Sequence, residues 1–402
     1  MLVTNIGQLV TIAGGGPRRG AAMDEIEIIS NAAMLVRDGL IVAAGPASEF
    51  PTDETDIVDA GGRTVLPGFV DAHTHPVWGG NRIDEFEQRA SGATYEQIAA
   101  NGGGIQSSVR QTRSASDDEL GKNFARHCQW FCRNGTTTIE AKSGYGLDLE
   151  TELRLLCSLK GTHQLRVVPT VLAAHAIPLD KSKEHYIADI CEAILPEVAA
   201  KKLAVYADIF VEQGYFTADD ARLIMGRAKE LGFKLKMHVD QLSAGAGAEL
   251  AVELGAATAD HLEQTSEAGI QALAASSTFP VLLPASVYAL GKTRYPDARR
   301  MIDSGLPVVL ATDFNPGSSP IPSIPMIMSL ACTQMHMSPA EALTAVTVNA
   351  ACSLDYFDRI GSLEPSKYAD FTIWDTSDFR EIVYFCGANL LWRTYVGGIQ
   401  VS

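Results

Sequence analysis

Basic residues are scarce in this chain: 32 Lys and Arg stand against 48 Asp and Glu, a formal net charge of −16 over 402 residues. That deficit opposes contact with a phosphate backbone and leaves no polybasic surface for anionic lipid, so nucleic-acid and membrane partners are excluded first. No basic residue precedes Arg18, and Gly14, Gly15 and Gly16 interrupt the apolar start. The pattern of a secretory signal is missing, and a cytoplasmic protein is expected. The longest uncharged apolar stretch, Ala268 to Gly291, approaches membrane-spanning length but contains Pro280, Pro284, Gln271, Ser276, Ser277 and Thr278. It predicts a buried helix, a turn and a strand rather than a span. Cysteine is also sparse, and seven scattered residues suit reduced thiols better than a disulfide framework. Cys128 and Cys132, beside His127, have helical i,i+4 spacing, but no second Cys or His pair lies nearby, so they read as small buried hydrophobes.

What the chain does have is 46% hydrophobic residues against 20% charged, enough apolar burial to offset chain entropy. Residues 1–64 alternate in short β-like runs and pivot on Asp38-Gly39, a hairpin signal. From about 65 to 354, short apolar runs are separated by helical stretches. The runs are TVLPGFVDAH, TTTIEAKSG, RVVPTVLAAH, YADIFVEQG, KLKMHVDQ, AATADHLE, TFPVLLPAS and PVVLATDF. Eight βα units predict an α/β fold, a closed (β/α)8 TIM-type barrel. Residues 355–402 return to β character in YADFTIWD and LWRTYVGGIQV, so both ends of the chain are expected to pair into one small β-sandwich domain beside the barrel. No internal repeat or low-complexity tract is evident.

Reactive side chains collect at the C-terminal ends of these runs: His73 and His75, then Lys142, His175, Glu212, His238, His261 and Asp313. In a βα barrel those ends share one rim, where the loops assemble an active site. Five of the nine histidines lie there. His73 and His75, two apart on a strand, project to one face and can share an ion; His238 and Asp313 complete a set of three imidazoles and a carboxylate. Such donors suit zinc, iron, nickel or copper, so ligand type leaves the metal open.

These residues carry a resemblance. PGFVDAHTHP, the histidines closing the fifth and sixth runs and the aspartate closing the eighth are similar to the amidohydrolase superfamily of metal-dependent barrel hydrolases. The terminal segments RDGLIVAAG and GSLEPSKYADFTIWD resemble the β domain that many members build from both chain ends. HPVWGGNRIDEFEQRASGATYEQIAANGGGI, KSGYGLDLETELRLL, AAHAIP and TDFNPGSSP resemble its branch that opens the five-membered ring of 4-imidazolone-5-propanoate to N-formimidoyl-L-glutamate in histidine degradation. The resemblance implies one divalent metal ion per chain, zinc or iron, on His73, His75, His238 and Asp313. It further implies that Asp313 also accepts the water proton, and that His261 orients water or stabilises the oxyanion. A metal that lowers the pKa of water towards ~7 suits attack on a poorly electrophilic cyclic amide.

The implied substrate is a small anion, and a chain of charge −16 needs a local cation to hold it. The resemblance assigns Arg82, Tyr95 and Tyr145 to substrate binding, with His175 near the ring and Asn315, Gly317 and Ser318 contributing from the last loop; a guanidinium can grip a carboxylate through two parallel hydrogen bonds. Gln241 stands where some members carry Glu. Its amide can bind substrate but cannot exchange a proton in the useful range, which leaves Asp313 and His261 as proton carriers.

Several residues are read without a catalytic role. Lys142 and Glu212 are expected to be structural or hydrogen-bonding groups around a single metal, and Asp71 to orient a ligand or satisfy backbone amides. The Gly102-Gly103-Gly104 run lacks phosphate-loop spacing. His127, His163, His185 and His336 fall outside the rim. Two other functions remain open at this point: deamination of a heterocycle by the same metal geometry, against which Arg82 with Tyr145 weighs, and a barrel scaffold without catalysis, against which the retained ligand set weighs. Proteins of this architecture often form homodimers, and no residue pattern here fixes the assembly.

Overall fold

The computed structural model describes residues 1–51, 54–94, 97–98, 101–161 and 163–402. The first five strands are β1 (Leu2–Val10), β2 (Ile28–Arg37), β3 (Leu40–Pro46), β4 (Ile57–Asp59) and β5 (Thr64–Pro67). The Asp38-Gly39 hairpin forms as its residues require: both have positive φ, 49° and 76°, the twist that matches a two-residue turn to right-twisted strands. One edge of β1 is shared between two partners, with Leu2–Thr4 pairing with β4 and Gln8–Leu9 with β5. Asn5, at φ 52°, turns the strand between these partners.

The barrel strands follow as β6 (Phe69–Thr74), β7 (Thr136–Lys142), β8 (Arg166–Ala174), β9 (Tyr206–Phe210), β10 (Lys234–Val239), β11 (Thr258–His261), β12 (Phe279–Leu282) and β13 (Val309–Leu310). All pair in parallel in sequence order. The ring closes where Thr74 bridges Phe314, with the Asp313 amide donating to the His73 carbonyl (3.1 Å) and the His75 amide to that of Phe314 (2.8 Å). Ala268 to Gly291 folds as the helix Glu267–Ala274, strand β12 and the helix Pro284–Ala289.

The chain then returns to the first sheet with β14 (Phe371–Trp374), β15 (Leu391–Val396) and β16 (Ile399–Gln400). β14 pairs antiparallel with β5, so the two ends of the chain meet in one mixed sheet with its own apolar core, including Ile6, Met34, Val65, Phe371 and Tyr395. The run TVLPGFVDAH is therefore two strands serving two sheets. Gly68 lies at the crossing, where a Cβ would stand 2.2 Å from Thr137 Oγ1, so only glycine fits.

Barrel interiors are commonly filled by branched apolar side chains. Here part of the filling is ionic. Lys142 on β7 reaches Asp208 on β9 and Asp260 on β11, and Lys236 on β10 donates to the Ala72 carbonyl on β6, contacts that cross the inside of the ring. The bulk of the apolar core lies instead between the strands and the surrounding helices, around Phe124, Leu155, Ile194, Met225 and Leu273.

Candidate active site

Four donor atoms converge at the C-terminal mouth of the barrel. His73 Nε2 lies 3.3 Å from His75 Nε2, which is 3.4 Å from His238 Nε2, and Asp313 Oδ1 stands 3.5 Å from both His73 and His75 Nε2. Around a tetrahedral ion with bonds of ~2.0–2.1 Å, donors would be about 3.4 Å apart. The far sides of two rings are committed: His73 Nδ1 lies 2.6 Å from Asp260 Oδ2, and His238 Nδ1 lies 3.1 Å from Asp208 Oδ2. A carboxylate accepts only from a protonated Nδ1, so the Nε2 lone pairs of both rings face the same point. Lone pairs crowded in this way repel unless a cation sits between them. Burial first, with neighbouring imidazoles and Lys142, holds His73 and His75 well below the usual imidazole range, in the neutral form a metal requires.

Formal charge points to the same chemistry. Glu140, Asp208, Asp260 and Asp313 are buried in and below this cluster against two ammonium groups, Lys142 and Lys236. Asp71, buried on the same interior face, adds a fifth carboxyl, lifted to about 7 by burial, so carboxyl groups outnumber ammonium groups here, and an excess of buried negative charge is costly unless a cation offsets it. The residues present therefore fit a divalent metal.

His261 and Asp313 both adopt the left-handed region, at φ 84° and 53°, an unfavourable backbone state found where structure over-determines a functional residue. His261 Nδ1 is 3.4 Å from Glu263 Oε1. Burial pulls its pKa down, but Glu263, then Asp313 and Asp260, outweigh that and hold it above the ordinary imidazole value. Asp313 is itself raised by burial, with His261 opposing.

A cleft opens above these groups, lined among others by Arg82, Tyr145, His175, Gln241, Asn315 and Ser318. Arg82, buried at the start of the helix Ile83–Ala90, is gripped by Glu85 through Nε (2.7 Å) and Nη2 (2.6 Å). Its guanidinium lies against Gly317, where a Cβ would come within 1.8 Å of Nη1. His175 lies parallel to His75 at 5.2 Å between ring centroids, and its Nδ1 is 2.9 Å from the Gly144 carbonyl. Tyr145 packs 5.3 Å from the His175 ring. Asn315 Oδ1 accepts from the amides of Gly317 (2.8 Å) and Ser318 (2.7 Å), tying the last loop into a turn beneath Arg82. Tyr95 lies outside the described residues.

Other sequence candidates fall elsewhere. Asp71 accepts from the Thr312 amide (3.0 Å) and hydroxyl (2.6 Å), fastening β6 to the segment after β13. His127 Nδ1 is 2.8 Å from the Pro76 carbonyl and its ring stacks on Trp78, while Cys128 and Cys132 are buried free thiols. Reading the sequence missed the acids behind the ligands, Asp208 and Asp260, and missed Glu152. That carboxylate accepts from the amides of Gly144, Gly146 and Leu147 at 2.8–3.0 Å and so shapes the loop that presents Tyr145.

Sequence comparison agrees with this geometry. The pattern of the Amidohydrolase family matches residues 64–391. An imidazolonepropionase of Solibacter usitatus (strain Ellin6076) is 54% identical over 98% of this chain and 96% of its own length, and one of Geobacillus thermodenitrificans (strain NG80-2) is 43% identical over 97% and 95%. The chain belongs to the amidohydrolase family, among its imidazolonepropionases. Solved structures share the fold at low identity: 5-methylcytosine deaminase of Klebsiella pneumoniae has a TM-score of 0.76 at 17% identity, covering 100% of this chain and 98% of that one. Guanine deaminase of C. acetobutylicum has a TM-score of 0.71 at 18% identity, covering 100% and 99%. In this amidohydrolase Gln241 lines the cleft at the start of a loop held from outside, where Glu212 accepts from the amides of Leu242 (2.8 Å) and Ser243 (3.3 Å). Glu212 thus anchors a loop and is not among the clustered donors. No helix among the described residues is long and apolar enough to cross a membrane.

Proposed function

We propose that this site hydrolyses the cyclic amide of 4-imidazolone-5-propanoate to N-formimidoyl-L-glutamate, with one zinc or ferrous ion held by His73, His75, His238 and Asp313. The observation that carries this reading is the meeting, in one cleft, of a donor set spaced for a cation and a buried arginine, Arg82, above it. Relatives at 43–54% identity over nearly the whole chain support the choice of substrate. Seven free cysteines suit a reducing cytoplasm.

The reaction adds water across one ring bond: the water oxygen joins the carbonyl carbon, the bond from that carbon to ring nitrogen breaks, and a water proton ends on that nitrogen. When bound, the cation supplies a water of pKa ~7 and polarises the carbonyl. Asp313 takes the proton from water and passes it to the departing nitrogen; its Oδ2 faces Ser318 Oγ at 3.5 Å. His261, backed by Glu263, faces the charge that develops on the carbonyl oxygen. Arg82 holds the propanoate, while Tyr145 and His175 form a wall against the ring. Gln241 and the Ser318 hydroxyl face the remaining polar atoms, Asn315 and Gly317 shape the loop that presents them, and Tyr95 belongs to the same substrate-binding set.

Purified protein incubated with freshly generated imidazolone propanoate should remove the ring's ultraviolet absorbance without releasing ammonia. It should carry about one divalent metal per chain, and chelation should stop turnover. Ammonia release would replace this reading with deamination, and an unchanged spectrum from metal-loaded protein would reject it. Arg82→Ala should raise KM about 30-fold, the equivalent of ~2 kcal/mol for a charge-assisted contact, and should do so only for substrates bearing the propanoate.

A further inference from the structure

Beneath the ligands lies a lysine that the chemistry above does not use. Lys142 Nζ, fully buried, is 2.8 Å from Glu140 Oε1, 2.8 Å from Asp208 Oδ2 and 3.9 Å from Asp260 Oδ2. Asp208 and Asp260 are the carboxylates that hold the Nδ1 atoms of His238 and His73. One ammonium group therefore stands behind two of the three imidazoles, on opposite parts of the ring of strands. We infer that Lys142 is a positioning residue for the metal centre, fixing through Asp208 and Asp260 the directions in which the His238 and His73 Nε2 lone pairs point.

Asp208 Oδ1 accepts from the Ile209 amide at 2.7 Å, which leaves Oδ2 to be placed by its partners, and His238 is held by long contacts of 3.1–3.2 Å to both Asp208 oxygens. Because Lys142 sits on Asp208 Oδ2 and near Asp260 Oδ2, both carboxylates turn towards the barrel axis, and each ring follows its carboxylate. Burial disfavours the ammonium, but Asp208, Glu140 and Asp260 outweigh it and hold the lysine charged. Groups that orient ligating imidazoles typically change metal affinity 10–100-fold when removed.

Charge and geometry are separable by experiment. Lys142→Met alone leaves an extra buried negative charge and can fail to fold. Lys142→Met combined with Glu140→Gln keeps the charge balance while deleting the tether. The inference rests on the metal reading above, so the dissociation constant for zinc is first measured on the metal-stripped parent by chelator competition. A parent that binds no divalent metal sinks that reading, whereas a binding parent isolates the present one. The double variant should retain a cooperative melting transition, bind zinc 10–100-fold more weakly and show an altered visible spectrum with cobalt(II). Lys142→Gln in the same Glu140→Gln background, whose amide still donates to Asp208, should recover part of the affinity and serves as the test if the methionine variant does not fold. Parental zinc affinity and cobalt spectrum in either folded variant would overturn the assignment, as would equal losses for Met and Gln.

Discussion

At the scale of single residues, the proposed reaction asks two tasks of Asp313, one for each oxygen. Oδ1 belongs to the donor cluster, and Oδ2 faces Ser318. Asp313→Asn keeps the volume and one carbonyl oxygen for the ligand position but removes both the charge and the capacity to accept a proton. Turnover should fall by at least ~10³-fold, within the ~10²–10⁴-fold that loss of a proton-transferring group commonly costs. The melting temperature of the metal-loaded protein should stay near that of the parent, because the Asp313 backbone bond to His73 is unaffected. Retained turnover in this variant would move proton transfer to another group. Residues of this kind were readable in the sequence because each closes an apolar run, where side-chain chemistry has no packing reason to be polar. The acids behind them were harder to see. Asp208 and Asp260 each sit inside a short run and look like ordinary strand-end polar residues; only strand parity separates them. Asp71, His73 and His75, Glu140 and Lys142, and Lys236 and His238 are all spaced by two, so one face of each strand is charged into the barrel. That repeated spacing was available, but an expectation of an apolar barrel interior hides it.

At the scale of elements, the loops above the strands are shaped by side-chain oxygens that take backbone amides. Glu152 does this for the loop holding Tyr145, Asp240 for the amides of Gly245, Gly247 and Ala248, and Asn315 for the last loop. Loop conformation of this type depends on which amides a side-chain oxygen happens to reach in three dimensions, so the sequence reveals the loop's residues and not its shape. Gly317 offers the sharpest test. Its backbone is not in the left-handed region, so alanine there meets no conformational penalty of its own, yet the added methyl would lie 1.8 Å from Arg82 Nη1. The guanidinium must move, carrying with it its contacts to Glu85. Gly317→Ala should therefore raise KM roughly 10-fold with a smaller change in kcat, since a misplaced carboxylate clamp weakens binding in ground and transition states alike. Steady-state kinetics on the alanine variant checks this, and an unchanged KM would mean that Arg82 does not hold the propanoate.

At the scale of the whole molecule, the two sheets divide the work. Eight strands and their order follow from the apolar runs, and the pairing of the chain ends follows from their matching β character. The crossing at Gly68 is marked in the sequence only by Pro67-Gly68 inside TVLPGFVDAH, a breaker that is lost when the segment is read as one run, and the close approach of Thr137 shows why glycine is required there. The terminal sheet is fastened to the barrel at the ends of the strands away from the mouth. Arg166, at the start of β8, pairs with Asp370 through Nε (2.7 Å) and Nη2 (3.2 Å) and lies 3.8 Å over the Tyr368 ring. Asp370 is almost fully buried and also accepts from the Gly397 amide at 2.6 Å, so it joins barrel, crossing segment and C-terminal strands. Asp370→Ala removes a bidentate partner and leaves one backbone amide without an acceptor, while Arg166 keeps partial access to water. A loss of about 2–4 kcal/mol is expected, from the cost of orphaned buried polar groups and the lower end of that for a broken buried pair. Because the contact lies beneath the barrel, kcat and KM measured well below the melting transition should match the parent. Denaturant unfolding monitored alongside steady-state kinetics separates the two effects. If activity fell in proportion to stability at temperatures where the variant is fully folded, the terminal sheet would be coupled to the mouth of the barrel and the division of work argued from this geometry would fail.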